Sequence, residues 1–418
     1  MGSMMSWPVA RRSAIALGAI LVTSGGTLLA GCSPKGTAPK GNDASDADGA
    51  SRNGDVPAQG TPADPMTTRI DSTLSALTLE QKINQLFFLE PESIFPASPV
   101  VSAGDASRRA LTEHPVGGIC YFGQNLRGPD QTRTMLSSIR QYSQDAVGLP
   151  PFISVDEEGG TVSRIGGKGS FSIPNVGDMR DVGASGDTHQ AFEVSQTMAK
   201  YLVELGFNLD FAPVADVVNG SSQTMARRSF GTDAQAVAQM VEAAVRGFTE
   251  GGILCCAKHF PGIGSAEGDP EVEPISTQKT MEQLQAEELL PFRSAIAAGV
   301  PFVMVGHLAC PRLTGDDTPA SLSRAIQTDI LRVQLGFEGI IITDSLKMGA
   351  IGDRYNATEL GVKALEAGAD MLLMTPDFSA SYEGVLSAVR DGTLGEERID
   401  DSLRRIIKAK LRLMDASA

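Results

Sequence analysis

Eight short apolar runs of strand length, separated by segments of helical character, limit the fold of this 418-residue chain more than any other feature. Such alternation, repeated eight times in about 350 residues, predicts an α/β fold of the (β/α)8 TIM-barrel class with one catalytic domain. A doubly wound open sheet is the alternative, but no glycine-rich phosphate fingerprint follows the first run. The predicted strands are 85–89, 118–122, 152–156, 208–213, 253–259, 302–307, 339–344 and 370–374, and helical patterns include 132–146, 189–205, 234–250, 281–298, 323–335, 357–367 and 379–391.

Composition limits the classes of partner. Hydrophobic residues make up 42% of the chain, which is enough for a large core. The net charge of −15 and the absence of lysine- and arginine-rich stripes argue against nucleic acid as a partner, because phosphate binding needs clustered cations.

The first 32 residues predict an export signal. Arg11-Arg12 precede an apolar run over residues 14–30, and small residues follow it. The sequence Leu29-Ala30-Gly31-Cys32 resembles a bacterial lipobox, so we expect a lipoprotein signal peptide over 1–32 and lipidation of Cys32. A single-pass anchor is the alternative, although the run is short for the roughly 20 residues of a membrane span. These features predict an extracytoplasmic protein held at the membrane by a lipid.

Residues 33–65 contain mainly Gly, Ala, Ser, Pro, Asp and Lys, which predicts a disordered tether before a barrel domain over 66–418. Cys120, Cys255, Cys256 and Cys310 lie in or just after apolar runs. Their spacing fits neither a zinc site nor a disulfide framework, so we expect buried thiols.

Polar residues gather where the predicted strands end. Because the carboxyl ends of barrel strands form one rim, these side chains should converge there. Each of them alone could instead be a helix cap or a structural ion pair. Together, carboxylates and cations on one rim suit a small polyhydroxylated ligand. The set comprises Asp156, Glu157, Glu158, Arg164, Asn208, Asp210, Asp216, Arg227, Arg228, Lys258, His259, His307 and Asp344.

Asp344 ends the seventh strand, after the apolar run Ile340-Ile341-Ile342. A carboxylate at this position on a barrel rim is typical of a nucleophile. The competing interpretation is an N-cap for the next helix.

Five motifs in order resemble glycoside hydrolase family 3, specifically its compact β-N-acetylglucosaminidases, over about residues 77–413. Residues 156–164 resemble that family's Asp-Gln-Glu-Gly-Gly-Arg-Val-x-Arg motif, and 208–216 resemble its Asn-Phe-Ala-Pro-Val-Ala-Asp strand, which continues into 228–231. Residues 258–262 match its Lys-His-Phe-Pro-Gly motif, and 319–323 lead to the nucleophile motif at Thr343-Asp344.

The resemblance implies an exo-glycosidase that retains configuration and releases terminal β-linked N-acetylglucosamine from cell-wall fragments. Asp344 would be the nucleophile that forms a glycosyl ester. No metal or cofactor is implied. The residues that would hold the sugar are Asp156, Arg164, Arg228, Lys258 and His259.

The proton donor departs from the family pattern. In the compact relatives an Asp and a His in the loop after Lys-His-Phe-Pro-Gly form the acid/base pair. An ungapped alignment keeps Asp269 but places Glu271 where the histidine would be, and Thr161 replaces an arginine of the strand-three motif. Three hypotheses follow: Glu271, with Asp269 as the second candidate, replaces the imidazole; specificity has moved to another β-glycoside; or the barrel binds sugar without catalysis.

Overall fold

Eight parallel strands form the centre of the structure, a computed structural model that describes residues 64–219, 225–268, 272–352 and 354–416. Their bounds are β1 Phe87–Leu89, β2 Gly118–Cys120, β3 Phe152–Val155, β4 Leu209–Asp210, β5 Leu254–Phe260, β6 Phe302–Val305, β7 Ile340–Thr343 and β8 Leu372–Leu373. A separate two-residue pairing joins Ile275–Ser276 to Leu308–Ala309.

The strands close into a barrel. Consecutive strands pair in parallel from β1 to β7, and β8 pairs with β1. A parallel bridge between Ile342 and Met371 joins β7 to the segment before β8 and so completes the ring. The predicted (β/α)8 barrel is confirmed, and the open sheet is excluded because strand eight lies beside strand one.

Apolar strand residues fill the barrel. Ile341 and Ile342 have no exposed surface, as expected for parallel strands that are covered on both faces. Aromatic rings meet across the barrel: the ring centroids of Phe152 and Phe302 are 5.1 Å apart.

The helices surround the strands. The long helix α7, for example, begins after Asp233, which accepts a hydrogen bond from the N–H of Ala236 and so satisfies one free donor of the first turn. The bounds are α1 Pro65–Ala76, α2 Leu79–Asn84, α3 Asp105–Glu113, α4 Pro129–Val147, α5 Met179–Ala184, α6 Thr188–Leu205, α7 Ala234–Glu250, α8 Met281–Ala286, α9 Leu289–Ala297, α10 Pro311–Thr314, a π-helix Ala325–Gln334, α11 Gly349–Gly352, α12 Ala357–Ala367, α13 Phe378–Arg390 and α14 Glu396–Ala416, with 3-10 turns at Pro91–Ser93, Gly123–Asn125 and Ala320–Leu322.

The prediction of one continuous helix over residues 281–298 was wrong. The segment 281–298 is divided into α8 and α9, because Glu287 leaves helical geometry with φ −128° and ψ −87°. Lys279 binds the carboxylates of both Glu287 and the fully buried Glu288 at this break. The break between the two helices therefore coincides with the pairing of two adjacent glutamates with one lysine.

Helix α14 is attached to the amino-terminal end of the barrel. Arg405 of α14 lies 3.1 Å from Oδ1 of the buried Asp370, which also contacts Arg332 at 2.7 Å. Further along α14, Lys410 is fully buried, and its Nζ donates to Oε1 of Gln85 at 2.6 Å.

The predicted signal peptide over 1–32, Cys32 and nearly all of the predicted tether lie outside the described residues. Helix α1 begins at Pro65, and Asp64 accepts from the N–H of Thr67 as its N-cap. In the part of the chain that the structure describes, no helix has the length and apolarity needed to cross a membrane. Cys120, Cys255, Cys256 and Cys310 are free and buried, as predicted.

Candidate active site

A pocket of about 400 Å³ opens at the carboxyl ends of the strands. All six predicted site residues within the described part of the chain line it: Asp156, Arg164, Arg228, Lys258, His259 and Asp344. Asp269 and Glu271, the two predicted donors, lie outside the described residues.

The turn after β3 supplies the acidic wall. Gly159 and Gly160 have φ of 87° and 53°, the left-handed region that glycine adopts readily, and they turn the chain sharply after Glu158. Glu158 is buried, and it binds Arg228 with both carboxylate oxygens, at 2.6 and 2.7 Å. Lys258 Nζ lies 2.7 Å from Glu158 and 2.8 Å from Asp156. Two carboxylates thus neutralise and hold two cations on one side of the pocket.

The neighbouring Glu157 has a different role, because its carboxylate points into the protein. It is fully buried and accepts from the hydroxyl of Tyr201 at 2.8 Å and from that of Ser163 at 2.6 Å. It also accepts from the backbone N–H groups of Arg164, Ile165 and Gly166. Glu157 therefore fixes the backbone that presents Arg164.

Arg164 lines the pocket with its guanidinium carbon 6.0 Å from the ring centre of Phe122. Its Nε is buried and finds no hydrogen-bond acceptor among the described residues. A donor in this condition is suited to a ligand oxygen, since an unpaired buried donor costs free energy.

Strand β5 supplies two adjacent pocket residues. The pairing of β5 with β6 shifts register between Ala257 and Phe260, and such irregularities redirect side chains near sites. The side chains of both Lys258 and His259 consequently line the pocket. His259 Nδ1 lies 2.8 Å from Oδ2 of the fully buried Asp216, which leaves Nε2 as the ring nitrogen available to a ligand.

Asp344 lies at the end of β7, and the backbone on both sides of it is held. Its N–H donates to the carbonyl of Val305 at 2.8 Å, and its Oδ1 accepts from the N–H of Ser345 at 2.7 Å. The next helix begins only at Gly349, so Asp344 is not its N-cap.

The charges around Asp344 keep it ionised. Burial acts to raise the pKa of Asp344, but His259, the Ser345 N–H and Lys258 outweigh burial and hold the pKa below the usual aspartate value. For Lys258, burial acts to lower the pKa, and the carboxylates of Asp156 and Glu158 instead hold it above the usual lysine value. The pocket therefore combines an anionic carboxylate at Asp344 with a charged lysine.

Lys347 and Glu90 form an ion pair, and both side chains also line the pocket. The sequence interpretation did not include either residue. It also gave no individual role to Glu158 or Asp216, although both belong to the polar set at the strand ends. A carboxylate directly before Gly159-Gly160 is the local signal that could have identified Glu158.

Residues 78–409 match the protein family described as the glycosyl hydrolase family 3 N terminal domain. The chain is 33% identical over 338 residues to the beta-hexosaminidase LpqI of Mycobacterium tuberculosis, a match that covers 77% of this chain and 83% of that protein. It is 29% identical over 334 residues to beta-hexosaminidase A of Pseudoalteromonas piscicida, covering 74% of this chain and 55% of that protein.

Among solved structures, the fold is similar to a glycoside hydrolase family 3 beta-N-acetylglucosaminidase from Paenibacillus sp. str. FPU-7. The TM-score is 0.76 at 37% identity, and the match covers 82% of this chain and 64% of that one. The chain thus spans between about half and two thirds of the length of the Pseudoalteromonas and Paenibacillus proteins.

Proposed function

Because this chain belongs to glycosyl hydrolase family 3, we propose that it is a retaining exo-β-N-acetylhexosaminidase that releases terminal β-linked N-acetylglucosamine from peptidoglycan-derived fragments. The single observation that carries this proposal is the position of Asp344: an ionised carboxylate in a pocket lined by the cations Arg164, Arg228 and Lys258. Family membership and the names of the hexosaminidase relatives support the choice of reaction.

In the proposed first step, an oxygen of Asp344 attacks the anomeric carbon of the terminal sugar. The glycosidic C–O bond breaks as the ester bond to Asp344 forms, and an acid transfers its proton to the departing oxygen. In the second step the same group, now a base, takes a proton from water, which attacks the anomeric carbon and releases Asp344 as a carboxylate. Glu271 is our first candidate for this group and Asp269 is the second.

The other pocket residues would bind the sugar. Lys258, Arg228 and the unpaired Nε of Arg164 are hydrogen-bond donors, while Asp156 and Asp344 are acceptors. Sugar hydroxyls need both kinds of partner in fixed directions. Only 5% of the chain is aromatic, so few stacking platforms are available for a long polysaccharide, which favours action on the terminal sugar of small fragments.

We further propose that the protein is an extracytoplasmic lipoprotein anchored through Cys32. The support is the sequence Leu29-Ala30-Gly31-Cys32 after an apolar run, followed by a polar segment before α1.

Hydrolysis of nitrophenyl glycosides tests the proposed activity. We expect turnover of the β-N-acetylglucosaminide to exceed that of the β-glucoside by at least about 100-fold, since a hexosaminidase should reject a sugar that lacks the acetamido group. Preference for the glucoside would instead indicate a β-glycosidase of other specificity. N-acetylglucosamine binding by calorimetry with no turnover of either substrate would identify a sugar-binding barrel.

A further inference from the structure

His307 connects two segments that meet beside Asp344. It is buried at the first position after the Gly306 that follows β6, and both ring nitrogens have partners. Nε2 lies 2.8 Å from the carbonyl oxygen of Ser345, and Nδ1 lies 2.7 Å from the hydroxyl of the fully buried Ser321.

These two contacts define the tautomer. A carbonyl oxygen can only accept, so Nε2 must carry the proton that it donates to Ser345. In a neutral ring Nδ1 is then the acceptor, and it accepts the proton of the Ser321 hydroxyl. The Ser345 carbonyl and the Ser321 hydroxyl together therefore favour the tautomer whose Nε2–H points at the backbone of residue 345.

Residue 345 in turn binds the nucleophile. Its N–H donates to Oδ1 of Asp344 at 2.7 Å, while its carbonyl accepts from His307. The next residue, Leu346, is held by donation of its N–H to the carbonyl of Leu373 at 2.9 Å. Without His307, the Ser345 carbonyl would lose the one side-chain hydrogen bond that it accepts from the described residues, and the N–H that orients Asp344 would be less well fixed.

We propose that His307 is a positioning residue for catalysis: its Nε2–H, directed by Ser321, holds Ser345 so that the Asp344 carboxylate faces the anomeric carbon. This inference rests on the proposed function, because it assigns to His307 a role in the attack by Asp344. It requires no contact between His307 and the substrate.

The titratable side chains that face the ring are Asp344, whose carboxylate raises the pKa of His307, and His259, which lowers it. Burial is the larger influence, and it holds the pKa of His307 below the usual histidine value. A protonated ring would donate from Nδ1 as well, and the Ser321 hydroxyl would then accept instead of donate. Burial favours the neutral ring, in which Ser321 donates to Nδ1 and Nε2–H donates to Ser345.

A matched pair of substitutions separates the two hydrogen bonds of His307. The amide of His307→Gln reaches the place of Nε2 and can still donate to Ser345, whereas the amide of His307→Asn reaches only the place of Nδ1 and can still contact Ser321. We expect His307→Asn to slow the labelling of Asp344 by a mechanism-based 5-fluoro-N-acetylglucosaminyl fluoride about 100-fold, because small displacements of a reacting group have effects of this size. His307→Gln should stay within about 10-fold of wild type on the same scale.

Two further measurements identify positioning as the cause. The dissociation constant for N-acetylglucosamine should be unchanged in both variants, since neither changes a residue of the pocket lining. Ser321→Ala should also slow the labelling of Asp344 while it leaves this dissociation constant unchanged, because Nδ1 then has no hydroxyl donor and the ring is free to take the other tautomer.

Equal labelling rates for wild type, Asn and Gln would overturn the inference. Equal losses in Asn and Gln that are accompanied by weaker sugar binding or a lower melting temperature would also overturn it, since they indicate a packing role. If wild-type protein is neither labelled nor active, the proposed function fails instead, and the two failures are distinguishable.

Discussion

Arg228 is held by Glu158 in a two-point contact, with Nε 2.6 Å from Oε2 and Nη2 2.7 Å from Oε1. The same Oε1 lies 2.7 Å from Nζ of Lys258. Burial acts to raise the pKa of Glu158, but Lys258 and Arg228 outweigh it and hold the pKa far below the usual glutamate value. One carboxylate, from a residue that was expected on the rim but was assigned no individual role, therefore fixes two of the predicted sugar-binding cations.

Glu158→Gln should accordingly damage both stability and substrate binding. It removes the buried negative charge between the buried Lys258 and the partly buried Arg228, and breaking such a pair costs about 3 kcal/mol. We expect the free energy of unfolding, measured by urea denaturation at pH 7, to fall by about that amount, and KM to rise at least about 10-fold.

Asp130→Asn provides the matched control for this substitution. Asp130 also pairs with an arginine, Arg133, at 2.7 Å, but the side chain of Asp130 is 98% exposed, so its loss should leave stability and KM unchanged. If Glu158→Gln behaves like Asp130→Asn, the carboxylate does not organise the pocket.

Asp344→Asn should abolish turnover while it preserves the pocket. The amide has nearly the same shape as the carboxylate, but it cannot form the glycosyl ester, so we expect kcat to fall by at least about 1,000-fold with N-acetylglucosamine binding retained. Mass spectrometry of the wild type after reaction with the fluorosugar should find the label on the peptide that contains Asp344. A label on a different carboxylate would show that the nucleophile has been wrongly assigned.

The barrel could be predicted from the chain because its signals are local. Each strand is a short apolar run, and Ile340-Ile341-Ile342 needs cover on both faces wherever it lies. The break between α8 and α9 has a local signal in Pro291, which has no N–H to donate to the carbonyl of Glu287 four residues earlier. The pairing of Glu287 and Glu288 with Lys279 at this break could not be predicted, because it depends on tertiary structure. The hydrophobic pattern alone continues through that break.

In the site, too, some features follow from local sequence signals and others depend on tertiary structure. Asp156 and Asp344 directly follow strands and Lys258 lies near the carboxyl end of β5, so the barrel rule alone is sufficient to bring them together. The adjacent residues Glu157 and Glu158 are chemically identical in the sequence, yet one fixes a backbone turn and the other binds Arg228 and Lys258. Only the direction of each side chain separates these roles, and that direction is not visible in the sequence.

Cys32→Ser should prevent lipid attachment if Leu29-Ala30-Gly31-Cys32 is a lipoprotein processing site. We expect the wild-type protein to partition into the detergent phase of a Triton X-114 extract, and the variant to appear in the aqueous phase or as an unprocessed precursor of lower mobility. Cys120→Ser, which changes a buried barrel thiol, is the control and should partition like the wild type. Detergent-phase partitioning of Cys32→Ser with unchanged mobility would exclude lipidation of this residue.

Lys410 should make the protein more stable as the solution becomes alkaline. Burial lowers the pKa of Lys410 to about 7, whereas in the unfolded chain it titrates near 10.5. Between these values the unfolded state binds more protons than the folded state, so this group makes the free energy of unfolding rise with pH from about 7 to about 10.5. Below about pH 7 the lysine is charged in both the folded and the unfolded state, so burial of its charge then destabilises the folded protein by the full amount.

Lys410→Met should therefore be more stable than the wild type by about 2 kcal/mol at pH 7, because an apolar side chain replaces a buried charge. The difference between the two proteins should shrink as the pH rises towards 10. Lys408→Met changes an exposed lysine of the same helix and should show no such trend. A stability difference for Lys410→Met that is independent of pH would contradict the lowered pKa.

The last prediction concerns the loop after Lys-His-Phe-Pro-Gly and asks which of its two candidate acids, Glu271 or Asp269, is the proton donor. An acid near Asp344 experiences repulsion from its negative charge, which favours the protonated form needed for donation. A missing donor slows a substrate most when the departing oxygen is most basic. We expect Glu271→Ala to be slowed by at least about 1,000-fold on a disaccharide of N-acetylglucosamine, and by much less on the dinitrophenyl glycoside, which leaves without a proton.

Azide provides an independent readout, since it can attack the glycosyl ester without a base. It should restore turnover of the dinitrophenyl glycoside by Glu271→Ala and yield the β-glycosyl azide, identifiable by NMR. Glu267→Ala changes another acid of the same loop and serves as the control, with no selectivity between leaving groups expected. If Asp269→Ala instead shows the selective loss and the azide rescue, while Glu271→Ala slows both substrates equally, then Asp269 is the donor and the ungapped alignment of this loop is wrong.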